Sequence, residues 1–448
     1  MPTISPARKA AFAVLMAVER GQSHSDDLLR GKAVNALSAP DRNLATALVL
    51  GVLRWQIRLD RQLQALLTRP YGKLDSVVLI ALRLGAFQVL HLDRIPAYAA
   101  IDDSVELAKQ AGRRFASGMI NAVLRQLSVA PPVHFSEETA AELALAHSHP
   151  VWVIERWASF FGLEAARAIC RHDQRQPTLA IRIVSPGGED ELAHAGIVLE
   201  PGELLTAART VVSGDLTSTA AFLEGRVRLQ DEGSQLVAEL AGCGSDLLDC
   251  CAAPGGKTLI LAERNPAARI LACEISFPRH EQLQKRLAYL GDRVQCRLAN
   301  ATELAEDSVF DLVLADVPCS GTGTMGRNPE IRHRLSLVAL SRQAERQRAI
   351  LQAALRAVRP GGRVVYSTCS LEPEENEQVV AAVLAATPNA RVIPLESRID
   401  ALLSEAILTP SGAERLRCCL TPEGALRLLP GALPTDGFFV CVLERAAR

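Results

Sequence analysis

The segment DLLDCCAAPGGKTLILAER, residues 246–264, decides the fold. DLLDCC is a short apolar run that reads as a buried strand, and LILAER reads as the start of a helix. Between them lie small residues, a proline and two glycines. A strand that turns through glycines into a helix opens an α/β sheet and binds its ligand at the turn. Glycine lets the backbone approach a ligand closely, and the helix N-terminus is electropositive, so the turn suits a carboxylate or a phosphate.

Downstream, the same alternation repeats. Strands are predicted at ARILACE (268–274), RVQCRLA (293–299), FDLVLADV (310–317), GRVVYST (362–368) and FFVCVLE (438–444), with helical stretches between most of them. The clearest helix covers 335–358 and is stopped by Pro360-Gly361-Gly362. From about residue 232 the pattern therefore predicts a parallel, doubly wound sheet, which binds ligands outside the carboxyl ends of its strands. Asp249, Glu274, Asp316 and Cys369 all fall at or near predicted strand ends. Glu274 follows the glycine turn by about 20 residues, the place of an acidic group on ribose hydroxyls; a helix-capping glutamate is the plain alternative. Two nucleotide motifs fail in detail. GGKT matches the end of a phosphate loop, but the first glycine of that loop falls on Cys251. GTGTMG (321–326) fits G-x-G-x-x-G but follows the fourth strand, and no apolar helix succeeds it.

Upstream, residues 5–128 read as helix throughout. Ser5 and Pro6 suit a helix start, Gly21 a helix end, and the segments 41–68, 74–92, 98–111 and 116–128 carry apolar residues at three- and four-residue spacing. The predicted bundle holds 17 Lys and Arg against 10 Asp and Glu, while the whole chain has a net charge of −1. A basic front end beside an acidic remainder points to a polyanionic partner, with a solvated helical surface as the plain reading. VAPPVHFSEE (129–138) reads as a linker, and 140–230 as a small α+β module. The expected domains are thus 1–130, 131–231 and 232–448. With 48% apolar residues, no membrane-length apolar run and no leader at MPTISPARKAAF, a cytoplasmic protein with no membrane partner is expected.

Eleven cysteines with no C-x-x-C spacing favour neither a disulfide framework nor zinc, so no metal is expected. Two of them stand out. ADVPCSGTG (315–323) delivers Asp316 to the sheet edge, and Pro318, which cannot continue a central strand, places Cys319 in a loop there. YSTCSLEPEENE (366–377) places Cys369 at the end of the next strand. Taken singly, each thiol reads as a small buried hydrophobe. Together, beside a nucleoside-type turn, they point to catalysis.

DCCAAPGGKT, ADVPCSGTG and YSTCSLEPEENE, in this order and spacing, resemble the RNA cytosine-C5 methyltransferases of the NOL1/NOP2/Sun family. Residues 5–128 resemble the RNA-binding fold of the antitermination factor NusB, a pairing similar to the bacterial small-subunit rRNA branch of that family. The resemblance implies an all-α NusB-like bundle, a small α+β middle module that helps position RNA, and a C-terminal Rossmann-like class I methyltransferase domain. It implies S-adenosyl-L-methionine as cofactor, held by Cys251, Ala252, Ala253, Pro254, Gly255, Gly256 and Lys257. Glu274 and Asn300 stand where the family usually has Asp, on the ribose and near the adenine, and Asp316 would lie between cofactor and base. The T-C cysteine, Cys369, would be the nucleophile, and the P-C cysteine, Cys319, would assist product release. The implied partner is 16S rRNA in naked or early-assembly form, the implied target one cytosine, and the expected state a monomer. Lys257 is a candidate for lowering a thiol pKa. Arg327, Arg332 and Arg334 are candidates for RNA phosphates, with a solvated surface equally open. EPEENE is expected to start a helix. The alternative is a non-catalytic RNA-binding factor with a degenerate methyltransferase domain.

Overall fold

Apolar residues spaced three and four apart fold as expected into helices Pro6–Glu19, Ala39–Leu66, Ser76–His91, Ala97–Gln110 and Ser117–Ser128. The computed structural model describes residues 4–21, 23–67, 74–131 and 133–447. Helix Ser76–His91 is buried along most of its length, and its Ile80 and Leu84 share one apolar core with Leu48, Val52, Leu59, Ile120 and Leu124. Its one buried cation, Arg83, is neutralised by Asp60 at 2.7 Å and Glu19 at 3.1 Å. Pro6 takes the first helical turn, but Ser5 makes no side-chain cap.

The chain falls into two compact units, Met1–Arg175 with Met325–Arg334, and Gln176–Thr324 with Leu335–Arg448. This division does not follow the boundaries expected at 131 and 231. Helices Ala140–Ala146, Val151–Phe161 and Leu163–Gln174 belong to the first unit, whereas the strands that follow belong to the second. A fully buried Trp157 and the His149–Asp173 pair, 3.0 Å apart and also fully buried, give these helices a core of their own.

Within Met325–Arg334 the structure corrects the phosphate-binding expectation for Arg332, one of the three arginines, while Arg327 is half-buried. Arg332 is fully buried in the first unit and donates to the carbonyls of Arg54 and Ser148, both at 3.0 Å. Glu330 accepts from the backbone and hydroxyl of Ser25, and Arg54 donates to Gly326 O at 2.7 Å. Arg334 is exposed but bonds Ser23 O and His24. Arg54 and Arg332 thus act inside the unit and offer no charge to a polyanion.

The second unit contains two sheets. Strands β1 (Leu179–Ile183), β2 (Val198–Pro201), β3 (Ala208–Ser213) and β4 (Val227–Leu229) form an antiparallel sheet in the order β2-β3-β1-β4. Strands β5 (Asp246–Asp249), β6 (Arg269–Glu274), β7 (Val294–Leu298), β8 (Phe310–Asp316), β9 (Val358–Thr368), β10 (Ala390–Ile393), β11 (Leu426–Leu428) and β12 (Phe438–Arg445) form the larger one. Its order is β10-β12-β9-β8-β5-β6-β7, with β11 paired to β12. The five strands from β9 to β7 are parallel, but β12 runs antiparallel to β9, so the sheet is mixed and not wholly parallel. Strand order reverses between β8 and β5, which opens a crevice at their carboxyl ends.

Candidate active site

The β5 turn is built by its sequence. Strand pairing ends at Asp249, and Cys250 to Gly255 turn into helix Gly256–Arg264. Gly255 has φ +96°, and a Cβ there would meet Leu283 Cδ1 at 3.0 Å, so glycine is required. Two arginines of helix Phe277–Leu287 hold the turn's carbonyls: Arg279 bonds Ala253 O at 2.7 Å and Arg286 bonds Pro254 O at 3.1 Å. Asp249 is buried beneath the turn, where it accepts from Thr258 Oγ1 at 2.7 Å. Burial, reinforced by nearby Asp316 against that hydrogen bond, pushes its pKa up to about 7.

The β8 and β9 ends are neighbours in register, with Asp316 opposite Ser367. Asp316 Oδ1 accepts from Ser367 Oγ at 2.7 Å, and Oδ2 pairs with Lys257 Nζ at 2.7 Å. Burial alone would lower the Lys257 pKa, but Asp316, Cys369 and Asp249 together raise it, so the side chain stays an ammonium. One residue past β9 comes Cys369, three past β8 comes Cys319, and their sulfurs lie 3.3 Å apart as free thiols. Hydrogen bonding to Cys369, burial and the charge of Glu375 hold the Cys319 pKa well above its usual value. That direction favours the protonated form of Cys319 beside Cys369.

A cavity of about 320 Å³ opens against these groups, lined among others by Cys251, Ala253, Glu274, Asn300, Asp316, Cys319 and Cys369. Of the residues expected from sequence, Cys251 and Ala253 of the turn, Glu274, Asn300, Asp316 and the two thiols line it, Ala252 and Pro254 line a smaller pocket beside it, and Gly255 lines neither. Lys257 and Gly256 also line that smaller pocket, which is shared with Asp316 and Cys251. Glu274 is buried; Oε1 accepts from Ser276 N at 2.8 Å, while Oε2 lies 3.7 Å from Arg279, beyond hydrogen-bond reach. That leaves an acceptor for hydroxyl donors. Asn300 spends its amide locally, accepting from Thr302 N and donating to Glu303. Carboxylates beside the cavity, a free acceptor on Glu274 and a glycine turn make a donor set that fits an aminoacyl nucleoside cation such as S-adenosylmethionine.

Sequence reasoning missed the residues that hold this arrangement. EPEENE does not start a helix at once: Glu372 and Glu375 are fully buried in a turn, and the helix begins at Glu377. Arg346, from helix Leu337–Ala357, also lines the cavity and was not singled out. A run of glutamates normally signals solvent, and nothing local reveals that two of them face inward. Among the described residues no cluster of His, Cys, Asp or Glu could hold a metal ion, and no helix is long and apolar enough to cross a membrane.

Residues 242–444 match the model of the 16S rRNA methyltransferase RsmB/F family, and residues 5–128 that of the NusB family. A probable ribosomal RNA small subunit methyltransferase B of Bacillus subtilis is 33% identical, covering 98% of both chains. The chain belongs to the RsmB/F family of 16S rRNA methyltransferases. S-adenosylmethionine is the cofactor of this family's methyltransferase fold. Among solved structures, the crystal structure of PH0851 is 24% identical with a TM-score of 0.78, covering 99% of each chain. NSun6 from Pyrococcus horikoshii, solved with SFG, is 20% identical with a TM-score of 0.53, covering 66% of this chain and 97% of its own.

Proposed function

We propose that this protein methylates C5 of one cytosine in 16S rRNA through a covalent bond between Cys369 and C6 of the base. The observation that carries this reading is the pair of thiols 3.3 Å apart beside the Lys257–Asp316 ion pair. S-adenosylmethionine supplies the methyl group. C5 of cytosine is a poor nucleophile, and the protein's part is to change that. The Cys369 thiolate adds to C6, which makes C5 enamine-like and able to take the methyl. Lys257, an ammonium paired with Asp316, is the cation this chemistry uses beside a nucleophilic thiol. Asp316 orients the base edge and balances the charge that develops in the ring. A base then removes the C5 proton, the C6–S bond breaks, and its electron pair returns to Cys369. Cys319, whose protonated form is favoured beside Cys369, serves this release. Cys251 to Lys257, Glu274 and Asn300 hold the cofactor, with Glu274 on ribose hydroxyls. The helical unit binds the rRNA, the target cytosine must leave its stack to reach the strand ends, and the protein acts as a monomer.

Incubation of Cys369→Ser with naked small-subunit rRNA and labelled cofactor should give no methylation; methylation at the wild-type rate would remove Cys369 as nucleophile. Cys319→Ser should instead accumulate a protein–RNA adduct stable to denaturing gels. The competing reading, a non-catalytic RNA-binding factor, draws on Asn300, whose amide is spent on its own turn. Calorimetry separates the two, since a catalyst must bind S-adenosylmethionine below about millimolar concentration.

A further inference from the structure

The stretch after Cys369 reaches back to both thiol-bearing loops. Glu375 is fully buried, and its carboxylate accepts from the backbone N of Ser320, the residue after Cys319, at 2.9 Å. It also accepts from the Ser320 hydroxyl and, at 3.0 Å, from Gln347 Nε2. Gln347 donates in turn to Pro318 O at 3.0 Å, so the residues on both sides of Cys319 are fixed from one carboxylate. The Tyr366 hydroxyl, from β9, donates to the carbonyl of Glu375. The next residue does the same for the other thiol. Asn376 Nδ2 donates to Ser370 O at 2.9 Å, and its Oδ1 accepts from Thr368 Oγ1, the residues on either side of Cys369.

We propose that Glu375, with Asn376, is a positioning clamp that sets Cys319 against Cys369 and places a buried carboxylate on the loop that carries Cys319. A buried carboxylate with three donors is costly to place unless each donor is needed. Here all of them come from the Cys319 loop or from Gln347, which braces that loop. The charge acts on the same target. The groups facing Cys319 are Cys369 at the end of β9, Glu375 and the buried Tyr366, while Arg346 of helix Leu337–Ala357 lines the same cavity. Of these, Glu375 brings a negative charge that opposes ionisation of the Cys319 thiol. Its meaning for turnover rests on the function proposed for Cys319 above; its effect on the thiol does not.

The test compares Cys369→Ser with Cys369→Ser/Glu375→Gln, following iodoacetamide alkylation of Cys319 at pH 8.5 by peptide mass spectrometry. Losing the charge should release more thiolate and speed alkylation about fivefold or more, since each pKa unit is about tenfold in thiolate below the pKa. In the otherwise native chain, Glu375→Gln should lower rRNA methylation turnover about tenfold and leave cofactor affinity by calorimetry unchanged. Glu375→Asp, which keeps the charge on a shorter arm, should restore slow alkylation and part of the turnover. An unchanged alkylation rate, or wild-type turnover, overturns the proposal. If Cys319→Ser itself turns over normally, the release role of Cys319 fails, and the clamp is judged on alkylation alone. Should Glu375→Gln not fold, Ser320→Ala removes one arm of the clamp: a turnover loss of about threefold or more supports it, and wild-type turnover overturns it.

Discussion

Asp249 shows how a single residue can carry a condition into the site. The sequence places it at a strand end, but nothing local shows that it lies wholly buried beneath the glycine turn. Its folded pKa of about 7 stands above the ordinary carboxyl value of 3.8. The folded form therefore holds the proton more tightly than the unfolded chain does. That contribution to stability is fully present below pH 4 or so and is lost as pH rises through about 7. Asp249→Asn, which mimics the protonated group and still accepts from Thr258, should flatten this dependence. Scanning calorimetry at pH 5 and pH 8 reads it: the drop in the second unit's transition temperature between the two should shrink, and an undiminished drop would refute the assignment. At the same scale, Glu274→Gln keeps the size of the side chain and removes an anionic acceptor from the cavity wall. Its expected effect is about tenfold weaker S-adenosylmethionine binding by calorimetry, the worth of one charge-assisted hydrogen bond.

At the scale of elements, strands and the glycine turn were readable because their signals are local. Strand–turn–helix at 246–264 follows from apolar periodicity and two glycines, and β6 to β9 follow from short apolar or alternating runs, β-branched only in β9. The edge strands β10 and β11 escaped notice because they are four and three residues long and take their stability from pairing with β12. The antiparallel sense of β12 is a property of the connection and not of FFVCVLE itself. The α+β reading of 140–230 merged elements of two units, since a segment's allegiance depends on which core covers its apolar face. Within the turn, Gly255 is the position that local reasoning can test. Gly255→Ala must hold an alanine at φ +96° against Leu283, at a cost of about 1–3 kcal/mol. The change should lower the second unit's melting temperature and weaken cofactor binding together, because the same backbone forms the wall of the site; a melting temperature equal to wild type would show that the turn relaxes freely.

For the molecule as a whole, the chain leaves the sheet unit after Thr324, contributes Met325–Arg334 to the helical unit and returns at Leu335. The basic character of this decapeptide suggested RNA, because arginine clusters usually lie in water. Its arginine at 332 is instead a structural cation. It donates to main-chain carbonyls, and burial, partly offset by Asp173, lowers its pKa to about 10, so it remains charged inside the unit at neutral pH. Removing such a group leaves three carbonyls short of a donor and the buried Asp173 without its main compensating charge, a loss of about 3 kcal/mol or more. The protein offers a clean readout, because Trp55, Trp152 and Trp157, its full set of tryptophans, all lie in the helical unit. Urea denaturation of Arg332→Ala followed by tryptophan fluorescence should therefore show a midpoint shifted down by about 1 M or more, given a slope of about 1–3 kcal/mol per molar for a domain of this size. A surface arginine that merely meets phosphates would leave that midpoint unmoved and weaken RNA binding instead, so the two measurements on one variant decide between a phosphate contact and a structural cation.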